Sequence, residues 1–334
     1  MRGEDVTHAS GTTAEFDISA PLFPVFDMPK AHVTMLNDRT RTERYIQALR
    51  EVVRPGMVVA DIGTGTGVFA VAAAKAGARR VYAIEAGGIG DTAQRLFEGN
   101  GLADRIQLVR ARSTVVELPE PVDVFVSETI GREPLEQRVL EIFLDARARL
   151  LKPGGCFVPY ALGIHAMPVS IPADDLDRMD FTTASVERWG AWYGVDFRPL
   201  LETRLPRVAF KDPSAVARWP RVADPVLVAQ VDFATLSEPV VDSSVVCKAV
   251  HSATVNGVVV SFELQLSKGI SFTTHPDEAS DDNSWRHAVF LPPPVALEAG
   301  EEMVVGYRYR MPGLPCGAWL APRERAAPRS APAD

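Results

Sequence analysis

From residue 33 to 53 the apolar side chains Met35, Leu36, Tyr45, Ile46 and Leu49 recur near helical spacing, and VTMLNDRTRTERYIQALREVV reads as one helix. Beyond it the period switches back and forth. MVVADIG is a continuous apolar run of strand length, and GVFAVAAAKAG is a small-residue helix ended by Gly77. RRVYAIEA is a second strand, IGDTAQRLFEGNGL a second helix closing on Asn-Gly, RIQLVRA a third strand and VDVFVSE a fourth. EQRVLEIFLDARARLL then forms a long amphipathic helix stopped by KPGG. Strands and helices in alternation predict a doubly wound, mostly parallel sheet.

After Pro159 strand-like runs dominate: ALGIHAMPV, VLVAQVDF, VVCKAVHSATVNGVVVSFELQL, RHAVFLPP and EMVVGYRYRM. The NGV at 256–258 predicts a hairpin, and this half an antiparallel barrel or sandwich. Residues 172–220 carry Trp189, Trp192, Tyr193 and Trp219 among many charges and read as an excursion from it. The expected layout is a flexible stretch at 1–20, an α/β domain at 21–160, a β-domain at 161–320 and a disordered Pro/Ala/Arg-rich tail at 321–334.

Composition narrows the function classes. At 334 residues and 46% apolar, the chain can bury a full core in two domains. A net charge of −8, with no basic run, excludes nucleic acid or an anionic membrane as the main partner. No apolar run reaches the roughly 18 residues that a membrane span needs. The N-terminus is polar and acidic, without the pattern of a signal peptide. Cys156, Cys247 and Cys316 are far apart and form no metal motif, so reduced thiols in a cytoplasmic, metal-free protein are expected. With 6 Lys against 29 Arg, and abundant Ala, Val and Gly, the composition suggests a GC-rich bacterial gene.

VVADIGTGTGVF is the strongest local signal. A buried strand delivers Asp61, and Gly63, Gly65 and Gly67 let a ligand lie against bare backbone. The spacing is GxGxG rather than GxGxxG, and no Walker lysine follows, which argues against a phosphate cradle. Asp61 suits a cationic amino group, and Glu85, ending the next strand, can accept both ribose hydroxyls. An amine, a ribose and no phosphate describe S-adenosylmethionine, with S-adenosylhomocysteine as its product.

These features resemble the protein arginine methyltransferase family, over about residues 20–310. The matching stretches are MLNDRTRTERY, DIGTGTG, AAKAGARRVYAIEA, VELPEPVDVFVSE, LKPGG with VPY, WYGVDF, and SWRHAVFL before AGEE. The resemblance implies a Rossmann-like methyltransferase domain followed by a β-barrel. In such proteins an arm inserted in the barrel, here 172–220, pairs head-to-tail with a second subunit. A homodimer or a higher oligomer is therefore expected. It also implies Arg41 as partner of the cofactor carboxylate, Glu85 as ribose ligand and Met35 as a lid over the sulfonium. Ala86, Ser113 and Thr114 complete the expected cofactor set, and His32 lies on the expected acceptor side.

The family's acceptor site holds two carboxylates, because a guanidinium is planar, permanently charged and needs bidentate charge-assisted bonds. The first is Glu128, the expected catalytic residue, which can orient or deprotonate an acceptor N–H. Nine residues on stands Gln137, which is neutral. Glu136 is adjacent, but one residue of helix turns a side chain by about 100°. A compensating one-residue deletion in the loop would bring Glu136 into place instead.

Other departures point the same way. The Thr-His-Trp of the family becomes Asn283-Ser284-Trp285, Phe26 replaces a tyrosine, and Thr114 replaces an acid near the adenine amine. Fewer charges and more aromatic surface lead to the expectation of a small-molecule acceptor, an indole or tryptophan-derived metabolite stacked on Phe26 and Trp285. A bacterial protein arginine methyltransferase is the second reading. A cofactor-binding regulatory pseudoenzyme is the third.

Overall fold

The computed structural model describes residues 26, 28–203, 207–279, 282–310 and 317–323. The stretch expected to be flexible at 1–20, residues 324–334 of the tail expected to be disordered at 321–334, and Cys316 lie outside the described residues. Ala321 and Pro322, the start of that expected tail, belong instead to a strand. Two helices lead in, α1 (Pro29–Asn37) and α2 (Arg39–Val52). The single helix expected over 33–53 is broken at Asp38, whose carboxylate accepts from the Arg41 amide at 3.0 Å and so caps α2.

The parallel sheet contains β1 (Val58–Ile62), β2 (Arg80–Glu85), β3 (Ile106–Arg110), β4 (Val122–Ser127) and β5 (Leu151–Val158), in the order β3-β2-β1-β4-β5. The helices α3 (Val68–Lys75), α4 (Gly90–Gly99) and α5 (Val139–Arg149) pack around it. Every residue of β1 is buried, as its unbroken apolar run requires of a central parallel strand. The chain winds outward from β1 through β2 to β3, then returns to β4 on the other flank. That reversal places a crevice at the carboxyl ends of β1 and β4, where Ile62 lies beside Ser127. The KPGG segment does not merely stop α5. It enters β5, where Lys152 pairs with Asp123 at 2.7 Å.

The second half holds eleven antiparallel strands among the described residues. They are β6 (Ala161–Val169), β7 (Val208–Lys211), β8 (Val226–Asp232), β9 (Val241–Lys248), β10 (Ala253–Val255), β11 (Gly257–Ser267), β12 (Ile270–Thr273), β13 (His287–Phe290), β14 (Val295–Leu297), β15 (Glu302–Tyr309) and β16 (Gly317–Pro322). The antiparallel half is built from three sheets, β7-β13-β11-β6-β8 with β12 on β11, then β16-β15-β9 and β10-β14, which among the described residues form an open barrel rather than one closed by hydrogen bonds. Their inner faces share one apolar core with the parallel sheet, through residues such as Leu264, Phe272 and Val305.

NGV does not turn a hairpin, because β10 pairs with β14 and not with β11. The Asn256 side chain instead grips both backbone groups of Ile171, at 2.6 and 3.0 Å, and pins a corner between sheets. The excursion at 172–220 holds α6 (Ala173–Leu176), α7 (Thr183–Tyr193), a short 3-10 turn at Arg198–Glu202, β7 and α8 (Pro213–Val216). Trp219 is buried at its base and donates to Asp175 at 2.7 Å, whereas Trp192 and Tyr193 at the end of α7 are 62% and 65% exposed.

Candidate active site

The crevice floor is the glycine loop. Gly63, Gly65 and Gly67 all have positive φ, at 66°, 55° and 88°. Close approach matters as much as the turn: a Cβ on Gly67 would meet the Phe97 ring at 2.3 Å. Glu85 leaves the end of β2 and accepts from the amides of Gly65 at 2.9 Å and Gly87 at 2.8 Å. Asp61 lies beneath the loop, only 1% exposed, and accepts from the Thr64 hydroxyl at 2.5 Å through Oδ2. Burial pushes its carboxyl up to about 7.

Glu128 follows β4 directly. Its Oε2 accepts from Arg41 Nη1 at 2.7 Å, with side chains 8% and 4% exposed. The Arg41 guanidinium also lies over the rings of Phe69 and Trp285, at 5.8 and 5.7 Å. Burial pushes the Glu128 carboxyl up to about 7, opposed by Arg41 and reinforced by Asp38. Arg41 Nε and Asp61 Oδ1 are buried and have no hydrogen-bond partner among the described residues.

The loop after Glu128 settles which residue faces the crevice. Glu136 folds back, and its Oε1 accepts from the Arg132 amide at 3.0 Å. Glu133 is buried, where it accepts from the Tyr307 hydroxyl and from the Leu135 amide. Trp285 Nε1 donates to the Ile130 carbonyl at 2.9 Å. Held by these four bonds, the loop turns Gln137 into the crevice. Arg138 then takes a left-handed conformation, φ 61°, to start α5.

Two adjoining cavities make up the crevice. The first, about 160 Å³, is lined by His32, Met35, Arg41, Thr64, Phe69 and Glu128, among others. The second, about 230 Å³, is lined by Ala86, Ala111, Ser113, Thr114, Glu141 and Ile142, among others. Phe26, Gly63, Glu85, Thr129 and Gln137 belong to both.

Most of the residues singled out in the sequence therefore converge: Phe26, His32, Met35, Arg41, Gly63, Gly65, Glu85, Ala86, Ser113, Thr114, Glu128 and Gln137. Glu136, Ser284 and Trp285, expected at the acceptor, do not line either cavity. Ser284 donates its amide and hydroxyl to Asp38 at 2.8 and 3.0 Å, and Trp285 is buried against Phe262 and Phe272. They are a clamp from the barrel onto α2 and the acceptor loop. Asp61 and Gly67 shape the floor from below and likewise do not line the cavities.

Sequence reading missed Asp38, Glu133, Glu141, Tyr307 and Tyr309. The alternation in GYRYR, which sets Tyr307 and Tyr309 on one strand face, was the available signal.

Comparison with known proteins fits this arrangement. The family model for ribosomal protein L11 methyltransferase (PrmA) matches residues 38–198. The crystal structure of Arabidopsis thaliana protein arginine methyltransferase 10 superposes with a TM-score of 0.71 at 25% identity, covering 89% of this chain and 97% of that one. A Danio rerio protein, protein arginine N-methyltransferase 6, is 30% identical over 268 residues, 77% of this chain and 75% of the relative. This chain belongs to the protein arginine methyltransferase family. An Arabidopsis thaliana relative, probable protein arginine N-methyltransferase 6, is 34% identical over 221 residues, 64% of this chain. The chain spans 48% of that relative's length.

The relatives overturn the expected indole-type acceptor and small-molecule partner, since those found in a plant and a fish carry arginine methyltransferase names. Nor do they support a bacterial small-molecule branch of the arginine methyltransferases. The physical reason for the misreading lies in Trp285. Counted as acceptor-facing aromatic surface, it is instead packed beneath Arg41.

Proposed function

We propose that this protein arginine methyltransferase family member transfers a methyl group from S-adenosylmethionine to a guanidinium nitrogen of arginine in a protein. The observation that carries the reading is the buried Arg41–Glu128 pair at the mouth of the glycine loop. The residues fit the cofactor. The loop is a cradle of bare backbone in which a Cβ on Gly65 would press on His32 at 3.2 Å, and Arg41 keeps a buried, unpartnered Nε nearby. Arg41 would hold the methionyl carboxylate and Glu85 the ribose hydroxyls.

The cofactor supplies a methyl group on a positively charged sulfur. The chain supplies alignment in a secluded site. Arg41 engages one oxygen of Glu128, which leaves Oε1 for an acceptor N–H. Glu128 would draw the guanidinium into line and lower the cost of the proton it loses. Gln137 would accept a second N–H through its amide oxygen, without the charge that a carboxylate adds. The grip is therefore one-sided. This supports weaker retention of arginine than a carboxylate pair would give, and Gln137→Glu should raise kcat/KM for arginine peptides about five- to tenfold.

The exposed Trp192 and Tyr193 support pairing of the arm at 172–220 with a second copy. Among the described residues, no helix is long and apolar enough to cross a membrane.

The deciding experiment incubates the protein with radiolabelled S-adenosylmethionine and an Arg-rich peptide, then hydrolyses the peptide. Label recovered as methylarginine is expected, and it should vanish when Arg is replaced by Lys. Cofactor binding without any transfer to arginine would overturn the reading. The neutral Gln137 favours one second reading, a cofactor-binding regulatory subunit, and that outcome would support it.

A further inference from the structure

We infer that Glu141, clamped by Tyr309, is the acceptor for the exocyclic amine of the cofactor's adenine. This rests on the S-adenosylmethionine reading above. Glu85 stands where the two cavities meet and divides the crevice chemically. On one side lie the opposed charges of Arg41 and Glu128, which suit a zwitterionic amino-acid end. With the ribose on Glu85, the base must enter the other cavity, of about 230 Å³.

That cavity offers Ile84, Ala111 and Ile142 as apolar surface for a flat ring. The ring's amine donates and needs acceptors. Arg112 and Arg138 line the cavity but guanidinium groups only donate. Ser113 and Thr114 carry neutral hydroxyls. Apart from Glu85, Glu141 is the carboxylate among the described lining residues.

Glu141 is also held in place. It sits in the first turn of α5, and the Tyr309 hydroxyl lies 3.1 and 3.0 Å from its two oxygens. Tyr309, 2% exposed near the end of β15, is fixed by the barrel core. One phenolic hydrogen leaves the carboxylate further lone pairs for the base. The barrel would thereby reach across to the cofactor's base as well as to its amino-acid end.

Calorimetry tests this with S-adenosylhomocysteine and its deaminated inosine analogue, in which a ring carbonyl replaces the amine. The unmodified chain should prefer the adenine compound by about tenfold or more, since a carbonyl facing Glu141 loses a hydrogen bond and meets a negative charge. In Glu141→Gln, whose amide can turn either its oxygen or its NH₂ to the ring, the preference should fall to about threefold or less. Tyr309→Phe should narrow it part of the way by freeing the carboxylate. It also serves as the second probe if Glu141→Gln fails to fold. An unchanged preference in both variants, or in the one that folds, would overturn the assignment while leaving the cofactor reading intact. Failure of the unmodified chain to bind either compound would overturn both.

Discussion

Glu133 is a buried acid whose charge the fold suppresses, and replacing it should stabilise the protein. Burial, with Glu136 nearby, pushes its carboxyl up to about 8, against a pull downward from the amides of Leu135 and Glu136. The folded pKa is thus raised above the ordinary value of 4.5. Below the ordinary value, both the folded and unfolded chains carry the proton and no penalty exists. As pH rises toward 8 the unfolded chain loses the proton first, so stability falls. At about 1.4 kcal/mol per pH unit, the penalty is roughly 1 kcal/mol at pH 5.5 and on the order of 4 kcal/mol at pH 8.

Glu133→Gln mimics the protonated form. Its oxygen can accept from Leu135, and its NH₂ can donate to the Tyr307 oxygen. Urea unfolding of both chains at pH 5.5 and pH 8 should show the variant's advantage growing by about 2–3 kcal/mol between them. Parallel pH profiles would refute the reasoning. They would mean that the Tyr307 hydroxyl holds Glu133 ionised in the folded chain.

Three further outcomes are expected. Glu128→Gln should cut methyl transfer by at least about 100-fold. It should also cost about 3 kcal/mol in urea unfolding, because Arg41 is left as an unpaired buried charge; intact turnover would assign Glu128 to structure alone. Gly67→Ala forces a Cβ toward Phe97 at a positive φ, so stability should fall by about 2 kcal/mol or more and cofactor affinity with it, both read by thermal shift with and without S-adenosylhomocysteine. Sedimentation at micromolar concentration should give a dimer that Trp192→Ser/Tyr193→Ser shifts toward monomer, and a monomeric starting protein would count against the arm's proposed role.

The parallel half was legible because its signals are local. Apolar runs, the glycine loop and the helix-ending residues each act within a few positions, and β1, β2 and β4 end where Asp61, Glu85 and Glu128 were expected to emerge. The misreadings come from contacts between distant segments. Asn256-Gly257 has the chemistry of a hairpin, but Asn256 is spent on Ile171, 85 residues away. The choice between Glu136 and Gln137 looked like a matter of helical register. It is settled by Tyr307, 174 residues beyond Glu133, and by Trp285 on Ile130. Ser284 and Trp285 were conspicuous in the sequence, yet their distant partners give them a positioning role that composition cannot reveal.

Asp38 divides its carboxylate between the two halves of the chain. One oxygen caps the helix that carries Arg41, and the other is held by Ser284 of the barrel. A fragment ending at Pro159 would keep all the residues proposed for the cofactor and still lack that second hold. Arg41 would then ride on a helix fastened at one side, and Gln137 on a loop released from Trp285 and Tyr307. The heritable unit of this site is accordingly the whole two-domain chain. Recombination at the domain boundary would separate the residues that do the chemistry from those that aim them.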